Sequence, residues 1–184
     1  MTLQSTFKKQ FSCEFSAPKS EEAGAKLLSA HDRLAALGPA YFSVTYGAGG
    51  STKDGTKQAV IDIRAKGSDV APHLSFGGDS ADKIEALLSE YKNANVTRVV
   101  ALRGDMPSGM GGSVRLTYAN ELVDFIREKT GDHFHIEVAA YPEVHPDSRS
   151  VESDLNFFKA KVDAGANSAI TQYFYNPAAY FNFI

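Results

Sequence analysis

Short apolar runs alternate along the chain with longer stretches in which apolar residues return every three or four positions. The short runs, residues 11–15, 41–46, 70–76, 98–102, 136–140 and 168–175, read as strands. The longer stretches read as helices. Residues 21–37 set Ala25, Leu28, Leu34 and Leu37 among charges, behind Ser20 as an N-cap. Residues 53–66 carry Val60 and Ile63, residues 81–92 put Ile84, Leu87, Leu88 and Tyr91 on one face, and residues 116–129 carry Leu122, Val123 and Ile126. Residues 151–162 form a fifth helix, and a sixth begins after Pro177.

Strands that alternate with helices predict βαβ units and a parallel sheet. Such a sheet either stays open or closes into a (β/α)8 TIM barrel. Polar residues favour the barrel, because nearly every strand ends in a chemically active cluster: Glu14, Thr45, His73, Arg103-Gly104-Asp105, Tyr141 to His145, and Gln172. A barrel gathers all its strand C-termini into one mouth, whereas an open sheet gathers only those at its switch point. No G-x-G-x-x-G follows the first strand. Six strand–helix units are legible, and a closed barrel uses eight over typically about 250 residues. The expectation is one (β/α) barrel catalytic domain over residues 1–184 with its C-terminal units missing. Its open sheet edges are compatible with a homo-oligomer.

Composition narrows the function. Hydrophobic residues make up 43% and charged residues 22%, as in globular domains. A net charge of −3 offers nucleic acid or an anionic membrane no electrostatic attraction. The N-terminus, MTLQSTFKKQFS, lacks the apolar core of a signal peptide, and no apolar run nears the ~20 residues that span a bilayer. Cys13 is the only cysteine, which suits a reducing compartment and predicts a cytoplasmic protein. His133-x-His135 has no third ligand at metal spacing, so no metal is expected.

Six motifs occur in order at strand ends: "CEFSAP", "SVTYGAGGSTKDGT", "APHLSF", "VALRGDMP", "AAYPEVHP" and "KVDAGANSAITQYFY". Each is weak alone. Together, over residues 11–175, they resemble bacterial-type methylenetetrahydrofolate reductase, a flavoprotein (β/α)8 barrel. The resemblance implies an FAD-dependent oxidoreductase of one-carbon metabolism and methionine synthesis. NAD(P)H would reduce bound FAD in one half of a ping-pong cycle. 5,10-methylenetetrahydrofolate would accept the hydride in the other, giving 5-methyltetrahydrofolate. The alternative is a truncated barrel that binds flavin or a partner without turnover.

The resemblance also assigns residues. Glu14 matches the family's general acid, although a glutamate in a strand is ordinarily an ion-paired edge residue. Ser16-Ala17-Pro18 departs from the family's usual continuation. Asp105 matches a carboxylate near the flavin pyrimidine and the pterin, where it would tune the flavin and bind folate; by itself it could be a turn salt bridge. Thr45, Tyr46, Ala48, His73, Arg103, Gly104, Tyr118, Ala119, Tyr141 and His145 match FAD contacts. Asp154 and Lys161, two helical turns apart, match the ribose and phosphate region, where a solvated charged face is the plainer reading. Gln172 matches a folate-binding glutamine. Phe157 and Ala160 fall on family FAD contacts but differ in residue type, so no role is carried over to them.

Overall fold

The computed structural model describes residues 9–46, 53–76, 79–104 and 118–184. Among them, strands and helices alternate strictly: β1 (Cys13–Phe15), α1 (Glu21–Ala35), β2 (Phe42–Val44), α2 (Lys53–Ala65), β3 (Val70–Leu74), α3 (Ala81–Asn93), β4 (Arg98–Ala101), α4 (Ala119–Thr130), β5 (His135–Ala140), α5 (Val151–Asp163), β6 (Ser168–Thr171) and α6 (Pro177–Phe183). The six strands form one parallel sheet in sequence order, curled into part of a (β/α)8 barrel.

Local chemistry explains the helix starts. The Ser20 hydroxyl accepts from the Ala23 N–H at 3.2 Å, and Ser150 does the same for Ser153 at 3.1 Å. Glu21 and Glu22 then favour the positive end of α1, and Arg33 favours its negative end. Alternation along the strands sorts the two sheet faces. Phe42, Val44, Val70, Leu74, Val99, Ile136 and Val138 are buried in one core with Val60, Ile63, Ile84, Leu88, Leu122 and Ile126 from the helices. The other, concave face mixes polar side chains with small or branched apolar ones such as Ala71 and Val100. Register aligns Glu14, Ser43 and Ala71 in one row, and His73, Val100, Glu137 and Ser168 in the next.

The concave face holds a network that spans the sheet. Glu137 is only 4% exposed. It accepts from the Tyr41 hydroxyl at 2.8 Å and from Arg98 at 3.2 Å, while Arg98 Nε donates to Asp69 at 3.1 Å. Burial, then the bond to Glu137, pushes the Tyr41 hydroxyl's pKa up. On the helical side Arg127 ties α4 to the turn after α5. It donates to the carbonyls of Phe134 and Gly165 at 2.8 Å and to Asn167 Oδ1 at 2.6 Å. Gly165 has φ +109, and a Cβ there would lie 3.0 Å from Arg127 Nε, so both backbone and space call for glycine.

Candidate active site

At the C-terminal ends of β4 and β5, a cavity of about 310 Å³ opens between α4 and α5. Arg103, Tyr118, Ala119, Tyr141, His145, Asp154 and Lys161 line it, together with Phe157 and Asp147. These residues come from four chain segments that the parallel sheet brings to one end. The Arg103 guanidinium binds Asp147 at 2.7 Å and holds that carboxyl below the usual carboxylate range. The Asp147 N–H donates to His145 Nδ1 at 3.0 Å, which leaves a neutral His145 with its proton on Nε2. The His145 N–H donates to Asp154 at 3.2 Å, and its ring meets Tyr141 edge-on at 4.5 Å. Lys161 reaches back to the Ala139 carbonyl at 2.5 Å. Burial lowers the Lys161 pKa, and Asp154 opposes that shift.

The loop between β5 and α5 owes its shape to more than its prolines. Glu143 accepts from the backbone N–H groups of Tyr175 at 3.1 Å and Asn176 at 2.8 Å, pinning the segment after β6 beside the cavity. Val144 sits at φ +69, a left-handed conformation that strains a β-branched residue by about 1–2 kcal/mol. Val144→Asn is therefore expected to raise unfolding stability by about 1 kcal/mol. Equal urea midpoints for the two proteins would contradict this.

A second group lies along β1 to β3. His73 Nε2 approaches Glu14 Oε2 to 3.3 Å, yet forms no hydrogen bond among the described residues. The contact is therefore electrostatic. The His73 side chain is 12% exposed and that of Glu14 is 58% exposed. The apolar run around Glu14 suggests a desolvated carboxylate. The structure corrects this: β1 pairs only with β2 among the described strands, and water reaches the glutamate. Thr45 accepts from the Ala17 N–H at 3.2 Å, and the Tyr46 hydroxyl donates to Asp79, which Lys53 also binds. Burial, then the Asp79 charge, drives the Tyr46 pKa upward.

Burial lowers the His73 pKa below its ordinary 6.5, while Glu14 and Glu137 pull it back up. Because its folded-state pKa is depressed, the unfolded chain takes up this proton first. Stability from His73 is thus intact above pH 6.5 and lost as pH falls below it. His135, also lowered chiefly by burial, acts in the same direction. His73→Gln should flatten the fall in urea midpoint between about pH 7.5 and about pH 5.5. An unchanged slope would refute the assignment.

Other expected site residues lie apart from the cavity. Gly104 follows Arg103 but does not line it. Gln172 is exposed, with its N–H on the Ala140 carbonyl at 2.8 Å. Ala48 and Asp105 lie outside the described residues. His133 and His135 turn separate ways, His133 to the Val96 carbonyl and His135 to the Ser168 hydroxyl, and His135 opens β5 rather than preceding it. Asp147 and Phe157 in the cavity, and the buried Glu137, are not among the residues selected from sequence. Glu137 had a usable signal, a carboxylate inside an apolar strand.

A parallel α/β sheet with its cavity at the strand C-termini places the chain in the barrel class, and solved structures agree. Phosphonopyruvate hydrolase, in complex with oxalate and Mg++, superposes with a TM-score of 0.63 at 12% identity, covering 95% of this chain and 62% of that one. A 2,3-dimethylmalate lyase gives 0.62 at 12% identity, over 95% and 61%. At such identity these show the fold alone. The family model "Methylenetetrahydrofolate reductase" matches residues 2–184, and the chain belongs to that family. It is 41% identical to 5,10-methylenetetrahydrofolate reductase of Escherichia coli (strain K12), over 94% of this chain and 57% of the relative. It is 38% identical to methylenetetrahydrofolate reductase (NADH) 1 of Arabidopsis thaliana, over 95% and 32%. The chain thus spans little more than half the length of its bacterial relative.

Proposed function

We propose that this chain forms the FAD- and folate-binding part of an enzyme that reduces 5,10-methylenetetrahydrofolate to 5-methyltetrahydrofolate with NAD(P)H. Residues 1–184 would act as a single catalytic barrel unit in the cytoplasm, without nucleic-acid or membrane partners. The observation that carries the reading is the cavity, which unites Arg103, Tyr118, Ala119, Tyr141, His145, Asp154 and Lys161 in a chain of this family.

The residues fit a flavin dinucleotide. Two cations, two carboxylates and several aromatic rings line the cavity, and the buried His73 Nε2 is left without a hydrogen-bond partner among the described residues. The cavity volume lies at the small end of the range for ligand sites, enough for part of the cofactor. Lys161 would meet phosphate as a point charge, Asp154 ribose hydroxyls, and Thr45, Tyr46, Ala48, His73, Gly104 and Asp105 the flavin side. FAD, when bound, supplies the redox chemistry by passing a hydride from NAD(P)H to the folate.

Glu14 carries the proton chemistry. Methylenetetrahydrofolate holds its one-carbon unit in a ring bridging two nitrogens. A proton from Glu14 to N10 breaks the carbon–N10 bond and leaves an iminium at N5. Hydride addition at that carbon then forms the methyl group. Asp105 and Gln172 would orient the pterin by hydrogen bonds. An anaerobic turnover assay tests the reading: NAD(P)H and methylenetetrahydrofolate should give methyltetrahydrofolate, dependent on FAD. Flavin reduction without folate product would identify a binder that does not turn over folate.

A further inference from the structure

The loop between β5 and α5 has two working sides. Its turn closes with the Val144 N–H on the Tyr141 carbonyl at 3.1 Å, and Val144 takes a left-handed φ of +69. The Tyr141 and His145 rings meet on the cavity side, while Glu143 between them reaches the segment after β6. There a single oxygen, Oε1, accepts from two successive backbone N–H groups, Tyr175 at 3.1 Å and Asn176 at 2.8 Å. The two sides are not equally held. The loop has further ties, the His145 N–H to Asp154 at 3.2 Å and the Ser148 N–H to the His145 carbonyl at 2.9 Å. Between Gln172 and α6, the hydrogen bonds that reach another part of the chain, among the described residues, are the two to Glu143. Loss of Glu143 therefore frees the segment after β6 and leaves the loop in place.

That segment begins at Gln172. The Gln172 N–H is fixed on the Ala140 carbonyl at 2.8 Å, and its side-chain oxygen accepts from the Tyr173 N–H at 3.1 Å. This bond decides which way the carboxamide faces, because only its oxygen can accept an N–H. The Tyr173 N–H in turn takes its direction from the course of residues 173–176, which Glu143 anchors at the far end. Resting on the reading that Gln172 orients the pterin, we propose that Glu143 is a positioning residue for the folate. It acts through the backbone of residues 173–176, which holds the Gln172 carboxamide in its binding orientation. One turn thus presents Tyr141 and His145 to the cavity and, through Glu143, sets the substrate side of the same mouth.

Calorimetric titration of the FAD-loaded protein with 5-methyltetrahydrofolate tests this without an activity assay. The proteins compared are wild type, Glu143→Ala, Glu143→Gln, Gln172→Ala, and Glu143→Ala combined with Gln172→Ala. Losing two exposed hydrogen bonds predicts that Glu143→Ala weakens the folate by about 3- to 10-fold. FAD affinity and far-UV circular dichroism should stay as in wild type, since the loop keeps its own ties and Glu143 is exposed. Glu143→Gln retains an oxygen that can accept both N–H groups and should recover most of the affinity. Because Glu143 acts through Gln172, Glu143→Ala should cost nothing further once Gln172 is alanine. Matching losses of FAD and folate would mark a merely structural residue, and additive losses in the double variant would mark one that does not act through Gln172. Either overturns the proposal, as does a folate affinity indifferent to Glu143, and all three leave the folate reading standing. Wild-type protein that binds FAD but no folate would defeat that reading and the proposal with it.

Discussion

Glu14→Gln is expected to separate the two halves of the reaction. Flavin reduction by NAD(P)H needs no proton donor from the protein and should continue near its normal rate. Folate reduction needs N10 protonated before the ring opens, and an amide cannot supply that proton. Losing a general acid typically costs about 10²–10⁴-fold, so the folate step should fall by at least that much. The nearest basic neighbour of Glu14, His73, lies 3.3 Å away and is held toward the neutral form by burial. Arg103, the cation at the neighbouring cavity, is already engaged by Asp147. Stopped-flow absorbance of the flavin follows each half separately. Equal slowing of both, or near-normal folate turnover, would show that Glu14 is not the acid.

Glu137→Leu should produce the largest loss of stability. It strips a buried carboxylate from Tyr41 and Arg98, leaving a phenol without its acceptor and a guanidinium with Asp69 alone. Breaking one side of a buried ion pair typically costs about 3–5 kcal/mol. The partners come from β5, from β4, and from the residue before β2, so the loss should loosen the concave face as a whole. Replacing both, as Arg98→Met with Glu137→Leu, should recover part of the loss, because the guanidinium is gone and the charge left over, Asp69, is one-third exposed to water. Urea unfolding measures both proteins. A single-variant loss below about 1 kcal/mol would contradict a structural role for this network.

Much of the fold is readable from periodicity, because α1 to α4 each bury apolar residues against the sheet and β2 to β5 are largely buried. Boundaries differ where tertiary pairing decides them. The first strand starts at Cys13, the first residue of β1 to pair with β2. The last ends at Thr171, where β5 ends opposite it. α4 starts at Ala119, where Glu121 accepts from the Tyr118 N–H at 2.8 Å. The candidate site is legible where a motif sits at a strand end, as with Arg103, Tyr141 and His145. It is illegible where a residue's role depends on a distant partner. Phe157 looks like one more apolar residue on an amphipathic helix until Tyr118 is seen stacked on it. Glu143 resembles a site carboxylate until the Tyr175 and Asn176 amides are seen upon it. Glu14 and Glu137 present the same pattern, an acid within an apolar strand, yet only Glu137 is buried. The difference lies in the number of neighbouring strands, which local sequence does not encode.

The central claim is that the cavity at the ends of β4 and β5 holds FAD through its charged lining. Titration of flavin-free protein with FAD, followed by flavin fluorescence, tests it most directly. The account predicts one saturable FAD per chain. Lys161→Met should weaken it by about 10- to 150-fold through loss of a charge-assisted phosphate contact, with circular dichroism unchanged. No saturable FAD binding, or an affinity indifferent to Lys161, would contradict it.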